Sequence, residues 1–180
     1  MPRHTAAELH VLKCELAGEV LRSSGSLRLR VTGWSMLPTI FPGDTLMIEQ
    51  ADSDRVVKGD IVLFRWDRRL FVHRVCGKCG SAGDMQIVTR GDGMSQPDPP
   101  VSSSDLLGKV SFVVRDGRCV EPGKRLGLSG SAVAALVRRS SSAARVVVGV
   151  HKMSRRSPTL ALQELGSNEL VIQEPHPCQS

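Results

Sequence analysis

The chain has no tyrosine, and its few phenylalanines and tryptophans bring aromatics to only 3% of 180 residues. A surface that stacks single-stranded bases needs several rings, so this composition argues against that kind of recognition, and no nucleic-acid partner is expected. No apolar run approaches the roughly 18 residues that a membrane-spanning helix needs. Residues 132–137 are too few, and 143–150 are interrupted by Arg145. The start, Met1-Pro2-Arg3-His4-Thr5, lacks the charged opening, apolar middle and small-residue cleavage site of a secretory signal. A cytoplasmic chain, or one bound peripherally to a membrane, is therefore expected. The cysteines number five, an odd count at irregular spacing, so they build no disulfide framework and fit a reducing compartment. Cys76 and Cys79 form a lone CxxC with no second ligand pair, so no metal or other cofactor is expected. Internal repeats are also missing.

What is present fits one buried core with a small appendage. The net charge of +6 would suit an anionic partner, although moderate basicity is common in proteins without one. Residues 5–24 read as an amphipathic helix, with Leu9, Leu12, Leu16 and Val20 at helical spacing and Glu8, Lys13, Glu15 and Glu19 between them. This stripe predicts packing on a sheet, and Gly25 provides a stop. Residues 26–32 alternate strictly between Leu27, Leu29, Val31 and Arg28, Arg30, Thr32, as in a half-buried strand. Further strands are predicted at 45–49, 85–89 and 106–114, with 61–66 and 70–76 paired as a hairpin. The fold class is mainly β (α+β), a folded-over sheet or small barrel with an N-terminal and a C-terminal helix. Four segments follow: a helix at 1–25, a core at 26–120, a helical extension at 121–153 and a polar, poorly ordered tail at 154–180. The extension carries Arg138, Arg139 and Arg145, a candidate surface for peripheral membrane contact if they are not simply solvated. A short helix is expected within the tail at 160–165.

The chemistry centres on Gly33-Trp34-Ser35-Met36-Leu37-Pro38-Thr39, a serine set where a strand should end. Alone, a serine beside glycine and proline shapes a turn. As a nucleophile it needs a base within hydrogen-bond reach and donors for an oxyanion; its own N–H is the first such donor. His73 is the candidate base, sharing one face of strand 70–76 with Phe71 and Val75. A carboxylate should orient that imidazole, and the loop at 90–100 offers two, Asp92 after Gly91 and Asp98 between Pro97 and Pro99. Asp44 and Asp60 each follow a glycine and read as turn residues. Lys58 is a weaker candidate base, since an ammonium at a loop edge stays protonated.

Taken together, the Ser35 block, Gly43-Asp44, Gly59-Asp60-Ile61-Val62, Val72-His73-Arg74-Val75 and Thr89-Arg90-Gly91-Asp92 with Gly108-Lys109-Val110 resemble the signal peptidase I and LexA-type serine peptidase superfamily. The likeness covers about residues 31–114. A histidine where most bacterial members place a lysine looks like the archaeal and endoplasmic-reticulum signal peptidases. The resemblance implies a serine endopeptidase that cleaves signal or leader peptides with Ser35 as nucleophile and His73 as base. It favours Asp98 as the triad partner, with Asp92 shaping the loop, and implies substrate contacts at Met36 and Pro38. A peptide or protein substrate with small residues on the acyl side is expected. Two alternatives are a LexA-like self-cleaving regulator and a catalytically silent peptide-binding module.

Overall fold

A computed structural model describes residues 6–81, 85–139, 145–149, 151 and 169–172. Helix α1 (Ala6–Ser24) leads through Gly25, whose φ of 73° is the left-handed stop the sequence suggests, into β1 (Ser26–Val31). In β1 the alternation holds, with Leu27 and Leu29 inside and Arg28 and Arg30 outside. The antiparallel partner of β1 is β2 (Thr45–Gln50), with Leu29 opposite Leu46. The hairpin is formed by β3 (Ile61–Trp66) and β4 (Arg69–Cys79), with Val62 opposite His73. Its two-residue connection puts Asp67 and Arg68 at positive φ, as such tight turns demand. The remaining core strands are β5 (Gln86–Arg90), β6 (Val101–Ser102), β7 (Leu106–Arg115) and β8 (Arg118–Val120).

With β9 (Glu169–Ile172), the strands form one sheet in the order β6-β5-β4-β3-β7-β2-β1-β9, with β8 paired to β7. Among the described residues the path is open rather than closed into a barrel. It is nevertheless strongly curled. β4 and β1 are separated by β3, β7 and β2. In a flat sheet that would be about 19 Å, at about 4.8 Å per strand step. Instead, Val72 of β4 and Val31 of β1 line the same small cavity. The concave side encloses Leu29, Leu46, Ile48, Leu63, Val72 and Val110, while Val62, Phe64, Val75 and Ile87 build a second cluster. Ile61 to Phe64 are consequently buried on both faces, which explains an uninterrupted apolar run where an alternating one would otherwise be expected.

Helix α1 corrects the sequence expectation about its face. It packs through Cys14, Ala17 and Leu21, with Val20 partly buried, whereas Leu9, Leu12 and Leu16 are 45%, 53% and 47% exposed. The small side chains of Cys14, Ala17 and Gly18 let the helix lie close to the sheet, with Leu107 near Gly18. Leucines would hold it further away, so the close approach selects the less apolar stripe.

Helix α2 (Leu128–Arg139) begins near the expected boundary, and residues 145–149 and 151 are helical as well. Val137 packs on Leu37 and Phe41, with Trp34, Val133, Val147 and Val148 around them. Arg138, Arg139 and Arg145 face solvent. Among the described residues no helix is long and apolar enough to cross a membrane. Within the segment read as a polar tail, β9 (Glu169–Ile172) pairs in parallel with β1. The short helix expected at 160–165 lies outside the described residues.

Candidate active site

Ser35 follows β1 and opens a turn over residues 35–39, held by Leu37 N–H donating to Trp34 O at 3.1 Å and Thr39 N–H to Met36 O at 2.9 Å. Leu37 and Ile40 are fully buried beneath it. His73 comes from the middle of β4, 3% exposed, with the Phe64 and Phe71 rings 6.0 and 5.9 Å from its own. Its Nε2 stands 3.0 Å from Ser35 Oγ, and its Nδ1 stands 2.7 Å from Asp98 Oδ2. An ionised carboxylate only accepts, so the proton of the neutral ring sits on Nδ1. The Nε2 lone pair is then turned toward the Ser35 hydroxyl.

Asp98 is fixed by its neighbours. Its N–H donates to Thr89 O at 2.8 Å, and Thr89 Oγ1 donates back to Asp98 Oδ2 at 2.6 Å. Thr89 itself is completely buried on β5, opposite Val75 of β4. A threonine at an inward position of a strand must satisfy its hydroxyl, and here the aspartate does so.

Asp92 has different partners. Arg74 Nε donates to its Oδ1 at 2.8 Å and Arg74 Nη2 to its Oδ2 at 2.9 Å, the two-pronged arrangement characteristic of a guanidinium. Thr39 Oγ1 donates to the same Oδ2, and Arg74 Nη1 reaches Gly59 O at 2.8 Å and Gly123 O at 2.7 Å. Both carboxylate oxygens are thus taken by Arg74 and Thr39. Of the two loop acids, Asp98 is thus the one within hydrogen-bond distance of His73, while Asp92 is engaged by Arg74 and Thr39. Asp92 ties the loop to the Ser35 turn, and Gly93 N–H adds a 2.7 Å bond to Ser35 O. The loop lies so close that a Cβ on Gly91 would come within 2.7 Å of Ser35 O and 3.2 Å of His73 Nε2.

The other candidates fall into place around this centre. Met36 lines a cavity of about 20 Å³ together with Val31, Thr32, Gly33, Ser35, Ile40 and Val72. Pro38, preceded by a cis peptide bond, lines a separate groove of about 360 Å³ beside Leu126, Gly130 and Val133. The structure thus separates the two residues grouped as substrate contacts. Asp44 closes its turn by accepting from Phe41 N–H at 2.8 Å and pairs with Arg115 at 2.6 Å. Asp60 likewise accepts from Val57 N–H at 3.0 Å. Lys58 is exposed on the loop before β3. Cys76 and Cys79 are free thiols on β4.

Sequence reasoning missed Thr39 and Thr89 and left Arg74 without a role. The signal for Arg74 was available, because a cation within an apolar strand requires a partner. For Thr89 it was the buried parity shared with Ile87.

The family model described as Peptidase S24-like matches residues 4–96. No curated protein is significantly similar to the chain.

Proposed function

The chain belongs to the Peptidase S24-like family of LexA and signal-peptidase-type serine peptidases, and on that premise we propose that it is a serine endopeptidase of the Ser/His kind. Ser35 is the nucleophile, His73 the general base and Asp98 the residue that orients the imidazole. The observation that carries this reading is the continuous line from Ser35 Oγ through His73, 3.0 Å on one side and 2.7 Å on the other, to Asp98.

In the reaction, Ser35 Oγ attacks the scissile carbonyl while Nε2 takes its proton. The carboxylate of Asp98 stabilises the imidazolium that results, and the N–H of Ser35 is the first donor to the oxyanion. Collapse of the tetrahedral species expels the amine, which receives the proton from Nε2. The acyl group remains on Ser35. Water, deprotonated by the same nitrogen, then releases the acid and restores the hydroxyl.

The cavity beside Ser35 is about the size of one water or one methyl group and is walled mostly by apolar side chains. This supports a small residue on the acyl side of the cut, and with it signal or leader peptides as substrates. Peptide hydrolysis and covalent labelling by a serine-directed phosphonate are expected for the wild type and lost in Ser35→Ala and His73→Ala. Equal activity in all three chains would overturn the reading.

A further inference from the structure

β1 lies between β2 and β9. Val31 N–H donates to Asp44 O at 2.9 Å and Val31 O accepts from Gly43 N–H at 2.7 Å, so the main-chain groups of Val31 face the β2 side. Peptide groups alternate in direction along a strand, which turns those of Arg30 and Thr32 toward the opposite edge. β9 occupies that edge, with Arg28 opposite Glu169, Leu29 opposite Leu170, Arg30 opposite Val171 and Val31 opposite Ile172. The pairing is parallel, so β9 runs toward Ser35 as β1 does. Val31 is both the last partner of β9 and part of the wall of the cavity next to Ser35.

A peptide cut at Ser35 must approach in extended form, with the residues before the scissile bond running toward Oγ. Main-chain pairing along an exposed strand edge is the general way to hold such a peptide. The β1 edge meets this need in position and in direction, and the chain's own residues 169–172 are on it. Resting on the peptidase reading above, we infer that β9 is a resident competitor: it fills the acyl-side docking edge and restrains the site until it is displaced. The sequence Glu169-Leu170-Val171-Ile172 suits this role, since it favours extended backbone and carries none of the small residues proposed for the acyl side of the cut. Because the segment belongs to the same chain its docking is intramolecular, so a weak strand contact suffices.

The test compares three chains: the full length, one ending at residue 168, and the full length with Leu170→Pro and Val171→Pro, which removes two main-chain donors without shortening the protein. Each is made with Ser35→Ala, and the probe is a fluorescein-labelled peptide of residues 166–175. The probe is expected to bind the truncated and proline chains at least tenfold more tightly than the full length. Equal affinity in all three, or binding to none, overturns the inference. The same three chains with Ser35 intact are then given a fluorogenic peptide with alanine before the cut. KM is expected to fall at least tenfold on loss of β9, with kcat unchanged within twofold. Tighter probe binding without hydrolysis by any chain supports the occupied edge and defeats the peptidase reading. Hydrolysis with one common KM does the reverse. A Ser35-dependent cut within residues 169–180, seen by intact mass, makes the segment a substrate and overturns its role as competitor.

Discussion

The loop after β5 carries two aspartates six positions apart, and the structure gives them opposite surroundings. The Asp98 side chain keeps 22% exposure and spends one oxygen on both His73 and Thr89. The Asp92 side chain keeps 4% exposure and is held by Arg74 through both oxygens. The difference begins on β4. His73 and Arg74 are adjacent, so they leave the strand on opposite sides, one toward Ser35 and the other toward the turn and the loop. On the proposed reading one carboxylate acts on the imidazole proton, and the other secures the backbone that holds the first group in range. Proximity to Ser35 in sequence or space therefore does not tell the two acids apart; the partner of each oxygen does.

Ser35→Ala should lower kcat/KM by roughly 10⁴- to 10⁶-fold with the melting temperature little changed, establishing the scale for the comparison. Next in size, Asp98→Asn should cost roughly 10³- to 10⁴-fold in kcat while the chain stays folded, because an amide disturbs the tautomer that leaves Nε2 unprotonated. Asp92→Asn should act on the other axis. It leaves the Arg74 cation inside without its counter-charge, costing about 3–5 kcal/mol in urea unfolding, while the folded fraction keeps kcat within about tenfold. Should the two asparagine variants trade these signatures, the division of labour proposed for them is wrong. The smallest effects separate the supporting hydroxyls: Thr39→Val should lose about 1 kcal/mol of stability, and Thr89→Val should lose a similar amount together with a drop in kcat that Thr39→Val does not show.

Much of this could be read from the sequence. The alternation in residues 26–32 and the hairpin are recoverable from local pattern, and resemblance singles out Ser35, His73 and Asp98, which the fold brings within hydrogen-bond distance of one another. What could not be read depends on contacts between distant segments. Arg74 finds Asp92 only after β4 and β5 pair, and Thr39 joins them from the turn after β1. The face of α1 was misread because apolarity favours Leu9, Leu12 and Leu16, whereas the distance to the sheet favours Cys14 and Ala17. β6 and β8 span two and three residues, too few for a period to appear. β9 is an ordinary tail segment until β1 offers it an edge.

The curl of the sheet also carries a consequence in time. Ser35 follows β1 and His73 lies on β4, and three strands separate them along the sheet. A partly assembled sheet, even one with β1–β2 and β3–β4 already zipped, does not bring the hydroxyl to the imidazole. That meeting requires β7 to bridge the two hairpins and the whole sheet to bend, contacts of high sequence separation that form slowly. On the proposed peptidase reading, hydrolytic competence would thus arrive at the end of folding, so that an unfinished chain among other unfolded chains would not yet be able to cut them.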